Sequence, residues 1–340
     1  MNFSLSSNKN SRYLIKNRLS SQENNVTAPN VLQTTEKGLL LKENLFSIRY
    51  NEPVEKTMAI ILVYFNKQSS FRIIHNLLFI KQMLESANIP YFIGEMSING
   101  SAFLFAESSN IFHFQSPDNM FYKENIINLM EPLLPSIYDK LCIMDSDIIF
   151  DNSDWYNLIS TKLNDVNICQ PFSTAYWLNI SYDDVILVKY SYLKNRIDGH
   201  EGFVWGFQRA WFNKYKFPSG CFIGSGDTLF VKAVFEKEIL KLHQYMYDSL
   251  EKYIDNLPSI ISSDYLDMNI YHLYHGTINN RQYFKKHINF NNMLTNLKIN
   301  ASDELIEYNA DGIMLWKPKY SNIFNSFMKE YLINRNDDSI

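Results

Sequence analysis

Leu141-Cys142-Ile143-Met144-Asp145-Ser146-Asp147-Ile148-Ile149-Phe150 is an apolar run interrupted by two carboxylates. Leu141 to Met144 lack polar alternation, as expected of a central strand covered on both faces, and ligand chemistry in open α/β sheets collects at the carboxyl ends of such strands. On an extended chain, Asp145 and Asp147 point to the same side, so together they can hold a hard divalent cation and, through it, the oxygens of a diphosphate. The alternative is a turn with two solvated aspartates, and D-x-D alone does not decide between them.

Outward from this strand, the chain reads as α/β. Met58 to Phe65 is a strand-like run, Ser69 or Ser70 can cap the helix that follows, and Tyr91 to Ile93 resumes as a strand. That order opens a parallel sheet. A helix is expected over Tyr122 to Leu133, another from Ser153-Asp154-Trp155, and a strand over Val166 to Phe172. Polar, aromatic Ser173 to Arg196 reads as an insertion over the site. Phe203 to Phe207 reads as a strand, Arg209 to Tyr215 as a helix, and a long helix is expected from near Asp227. Residues 1–50, rich in Ser, Asn, Gln and Lys, read as a loose extension, leaving one domain over 51–335.

Composition narrows the class. The chain has 340 residues, 46% hydrophobic and 15% aromatic, with 22 Tyr and 24 Phe, which suits a globular protein with aromatic-rich walls. A net charge of -4 gives no general attraction to nucleic acid or acidic membranes. The 3 cysteines, Cys142, Cys169 and Cys221, lie in apolar segments without metal-type spacing and read as reduced, buried thiols. With no signal-like or membrane-spanning segment, a soluble, intracellular, cytoplasmic protein is expected.

Further motifs carry polar chemistry. Ile223-Gly224-Ser225-Gly226-Asp227-Thr228 places an acid at a helix start, either as an N-terminal cap or as a base, and Gly224 and Gly226 permit close approach of a ligand, an acceptor hydroxyl being the natural candidate. Tyr271-His272-Leu273-Tyr274-His275-Gly276 holds two of the 7 histidines. His272 reads as a hydrogen-bonded core residue, whereas His275, before a glycine turn, can reach a cation with Asn279 and Arg281 near a phosphate.

In this order the motifs resemble the GT-A glycosyltransferases over residues 57 to about 320. Lys123-Glu124-Asn125-Ile126-Ile127-Asn128 followed by Asp145-Ser146-Asp147 is similar to the β-1,4-galactosyltransferase pattern of an R/K-x-x-L-L-N helix leading into D-V-D. Gly202 to Trp205, Phe217-Pro218 and Gly224 to Asp227 continue it. A group of uncharacterised glycosyltransferase-like proteins matches more closely, with K-E-x-x-x-N, D-x-D, Q-P-F, G-F-x-W, G-x-G-D and H-L-W-H-G. Gly226 departs from the galactosyltransferases, which carry glutamate there, so acceptor recognition does not carry across.

The resemblance implies a GT-A fold, a mixed, mostly parallel sheet flanked by helices in one catalytic domain. It implies transfer of a sugar from a nucleotide-diphosphate donor, UDP-sugar above others, to a hydroxyl acceptor. Mn²⁺ or Mg²⁺ would be held by Asp147 and His275, with Asp145 at the metal's water shell or the ribose. Tyr64, Phe65, Asn66 and Arg72 would hold base and ribose, Lys123, Asn128 and Arg281 would line the donor site, and Asp227 would act as base with inversion. Gly224, Gly226 and Trp205 would face the acceptor, Trp205 as a stacking platform or else as core. A nucleotide-sugar nucleotidyltransferase and a catalytically silent glycan-binding relative are the alternatives, the first disfavoured by the lack of a glycine-rich, basic loop after the first strand.

Overall fold

A computed structural model describes residues 35–65 and 70–339. In chain order, the larger elements begin with α1 (Thr35–Ser47), β1 (Met58–Tyr64), α2 (Phe71–Ser86), β2 (Tyr91–Ile98), β3 (Ile111–Ser116) and α3 (Lys123–Met130). The central portion adds β4 (Lys140–Met144), β5 (Ile148–Phe150), α4 (Trp155–Asp165), β6 (Ile168–Gln170), β7 (Thr174–Leu178), β8 (Val185–Tyr190), β9 (Val204–Gln208) and α5 (Arg209–Tyr215). The C-terminal portion holds α6 (Gly226–Val231), α7 (Tyr247–Asn256), β10 (Ser263–Tyr265), β11 (Asn269–His272), α8 (Lys285–Leu297), β12 (Ile306–Tyr308), β13 (Met314–Trp316) and α9 (Pro318–Arg335).

The main sheet runs β10-β6-β9-β4-β1-β2-β3. Its pairings are parallel except where β9 runs antiparallel to both β4 and β6, so it is mixed and mostly parallel. The unbroken apolar runs have a direct cause. Successive side chains leave opposite faces, and both faces are covered: Ala59, Ile61, Leu141 and Ile143 enter one core, while Met58, Ile60, Leu62, Cys142 and Met144 enter the other. Each such Ile or Leu stabilises the fold by roughly 1.5–3 kcal/mol. The three cysteines are buried and free. Ser70 caps α2, its hydroxyl accepting from Ile73 N–H at 3.3 Å.

Several expectations are corrected. The C-terminal part of the supposed loose extension is helical: α1 docks through Leu45 and sets Phe46 edge-on to Phe79 at 5.3 Å, whereas residues 1–34 lie outside the described residues. Ser173 to Arg196 supplies β7 and β8 of a second sheet, β5-β11-β7-β8, built on long-range pairing that a local reading misses. The long helix expected from Asp227 stops after α6 and passes into a π-turn over Lys232–Glu236. Among the described residues, no helix is long and apolar enough to cross a membrane.

Candidate metal and transfer site

The turn between β4 and β5 carries Asp145 and Asp147 and belongs to both sheets. Asp145 N–H donates to Phe203 C=O at 2.8 Å, and Leu273 N–H donates to Asp147 C=O at 2.8 Å. Phe203 supplies that carbonyl from a left-handed backbone, φ 79°, a conformation costing on the order of 1–3 kcal/mol for a non-glycine residue. The segment is a turn and not an extended strand, and the two aspartates take different partners. Asp145 pairs with Lys123 of α3, and Asp147 turns toward β11.

Antiparallel register of β11 against β5 sets His272 opposite Ile148, directly after Asp147. His275 Nε2 lies 2.9 Å and His272 Nε2 3.8 Å from Asp147 Oδ2. One ligand atom from each of Asp147, His272 and His275 falls within 4.8 Å of the others. Asp147 Oδ1 is buried with no hydrogen-bond partner, an orphaned acceptor of the sort a cation satisfies. Two imidazoles and one carboxylate suit a divalent transition metal such as Mn²⁺, so the donor set fits.

Electrostatics agree with that fit. Burial opposes ionisation of Asp147, but His272, His275 and Arg281 outweigh it and hold the carboxyl well below the usual range. Burial pulls His272 well below the ordinary histidine range, toward the neutral form that ligation requires. His275 Nδ1 faces Asp337 Oδ1 at 3.4 Å, an arrangement that orients the ring so that Nε2 points at Asp147. The Arg281 guanidinium donates to His275 Nε2 at 2.6 Å, and a cation at that nitrogen would replace this bond.

A second cluster lies beyond Lys123. Burial works against its charge, yet Asp145, Asp227 and Glu124 hold its ammonium above the ordinary lysine range. Asp227 stands in the first turn of α6, where its Oδ1 accepts from Thr228 N–H at 2.9 Å. Its Oδ2 lies where a side chain at Gly202 would begin, so only glycine at 202 leaves that oxygen in place. The turn before it is wound by two successive left-handed residues, Gly224 (φ 85°) and Ser225 (φ 67°), and Ser225 Oγ meets His287 Nε2 at 2.9 Å.

The remaining expected residues divide. Arg72, near the start of α2, lies over the Tyr274 ring at 5.2 Å, beside His275. Phe65 packs edge-on to Phe121 at 5.6 Å, Tyr64 is buried, and Asn66 lies outside the described residues. Asn128 is committed to structure, since its amide donates to Phe217 C=O at 3.1 Å and accepts from Phe217 N–H at 3.0 Å. Trp205 is core, 3% exposed, with its indole donating to Glu201 C=O at 2.9 Å, so it offers no face to a sugar. Gly224 and Gly226 make room for Lys286 and for the Glu124 carboxylate, not for a ligand. Sequence reasoning set His272 aside as core, although its position three residues before His275 was a usable signal; for Asp337 the sequence offered none.

No family model matches this chain, and no curated protein does. Solved structures overlap it in part. The catalytic domain of Drosophila β1,4-galactosyltransferase 7 with xylobiose is 13% identical at a TM-score of 0.27, over 54% of this chain and 63% of that one. A mutant of that enzyme with manganese, UDP-Gal and xylobiose is 12% identical at 0.35, over 80% and 98%. Glucosyl-3-phosphoglycerate synthase from Mycobacterium tuberculosis with Mn²⁺, UDP-glucose and phosphoglyceric acid is 8% identical at 0.35, over 86% and 92%. The chain thus spans less than two thirds of the first of these, and the functional reading rests on its own residues.

Proposed function

We propose that this chain is a metal-dependent glycosyltransferase of the GT-A type, moving a sugar from a UDP-sugar donor to a hydroxyl acceptor with inversion. The observation that carries the reading is the convergence of Asp147, His272 and His275 on one buried point at the carboxyl end of β4, with Asp147 Oδ1 unpartnered. A divalent cation held there would supply Lewis-acid stabilisation of the leaving diphosphate, worth several kcal/mol.

The protein's own groups supply the rest. Arg281, once released from His275, can donate to phosphate oxygens, and Arg72 lies over the ring of Tyr274, next to His275 in the chain. Lys123 balances Asp145 and places positive charge between the metal side and Asp227. Asp227 Oδ2, for which Gly202 leaves room, accepts the acceptor's proton as the hydroxyl oxygen bonds to the anomeric carbon. The bond from that carbon to the diphosphate breaks, and its electron pair departs with UDP. Such a base contributes on the order of 10²–10⁴ in rate.

Release of UDP from a panel of UDP-sugars, with and without Mn²⁺ or Mg²⁺, tests this reading. Metal-dependent release with at least one donor is expected. Absence of release together with no calorimetric binding of UDP in the presence of Mn²⁺ would refute it.

A further inference from the structure

Glu124 is the second residue of α3 and is 6% exposed. Its carboxyl group occupies the place where any side chain at Gly226 would start, one residue before Asp227. Glycine at 226 is therefore a requirement of Glu124, since a methyl group there would collide with the carboxylate. Its own backbone N–H donates to the carboxylate. Burying a carboxyl costs stability, and an apolar or amide residue of like size would cost the fold less.

A second charged group stands beside the same turn. Lys286 of α8 is 5% exposed, and its Nζ lies 3.1 Å from the Cβ position at Gly224. Its ammonium lies over the rings of Phe121 (5.1 Å) and Tyr331 (5.3 Å). Lys286 is thus within electrostatic reach of two carboxyl groups, Glu124 and Asp227. Burial, with Arg335 nearby, brings that lysine down to about 7, whereas Asp227 and Glu124 pull the other way.

Resting on the glycosyltransferase reading above, we infer that Glu124 is a positioning residue for the transfer step. Its carboxyl wedges against the Gly226 peptide, fixes the direction of Asp227 Oδ2, and sets the charge balance with Lys286 in which Asp227 takes the proton. With water as acceptor, the water oxygen bonds to the anomeric carbon, one proton goes to Asp227, and UDP leaves with the electron pair of the broken bond. Glu124 exchanges no atom in this step.

The test uses the full chain, Mn²⁺ and whichever UDP-sugar it turns over, with water as acceptor. Glu124→Gln should lower kcat for UDP release roughly 10- to 100-fold while donor Kd, by calorimetry, stays within about twofold. Gly226→Ala, which displaces the carboxylate while retaining Glu124, should do the same. Glu124→Ala with Gly226→Glu returns a carboxylate from the other side of the contact and should recover at least about tenfold over Glu124→Ala alone. Glu124→Gln turning over like wild type, or losing donor affinity in step with kcat, would overturn the inference and leave the glycosyltransferase reading standing. If Glu124→Ala does not fold, the isosteric Gln variant decides. A wild-type chain that releases no UDP from any donor would overturn both.

Discussion

His275 Nε2 lies 2.9 Å from Asp147 Oδ2, although 127 residues intervene between them along the chain. Antiparallel pairing of β11 with β5 makes the contact, and the same pairing brings His272 to the same oxygen. The metal reading therefore makes equal demands on both histidines.

His272→Ala and His275→Ala should each weaken Mn²⁺ binding at least about tenfold, and Asp147→Ala should abolish it, as expected when a three-residue donor set loses a member. Calorimetric titration of Mn²⁺ with UDP present measures this. Unchanged affinity in His272→Ala would return that residue to a purely structural role beside Trp177, whose ring centroid is 4.5 Å away.

On the metal reading, Asp337 would act one step out from the ion by orienting His275 through Nδ1. Asp337→Asn should lower metal affinity about 10- to 100-fold, with little change in secondary structure by circular dichroism. Equal affinity in wild type and variant would show that Arg335, which donates to Asp337 at 2.8 Å, is that carboxylate's only significant partner.

Asp227→Asn retains size and can still accept from Thr228 N–H, but it cannot take a proton from an acceptor. UDP release should fall about 10²- to 10⁴-fold while donor affinity is kept. Turnover near the wild-type rate would remove Asp227 as the base.

Glu124 links stability to pH. Burial pushes its carboxyl from 4.5 up to about 7, with Lys123 opposing and Asp227 reinforcing the shift. Between those values the folded chain keeps a proton that the unfolded chain has released, so this group's contribution is full below 4.5 and is lost as pH rises through 7. Glu124→Gln lacks that loss. Its stability relative to wild type should rise by on the order of 1–3 kcal/mol between pH 4.5 and pH 8, read from urea unfolding at both pH values. Parallel pH dependence in the two proteins would contradict the assignment.

Trp205 packs edge-on to Phe230 at 5.5 Å and stacks on Phe235 at 5.9 Å. Trp205→Ala should cost about 3–5 kcal/mol of stability, measurable by denaturant unfolding. A variant of wild-type stability that had lost only acceptor selectivity would restore the stacking role.

Periodicity and local chemistry in the sequence determined the α/β class, the strands at β1, β4 and β9, a cap at Ser69 or Ser70, and the placement of Asp147 at a strand end, because each depends on a few adjacent residues. The same local reading assumed an extended chain through Asp145 and Asp147, where a turn runs and Asp145 pairs with Lys123. Tertiary structure alone decided that His272 joins His275, that Asp337 stands behind the ring, that Trp205 is enclosed, and that Glu124 fills the space left by Gly226. These relationships arise from strand register and helix docking between residues far apart in the chain, where hydrophobic spacing identifies a buried face but not the side chain that will meet it.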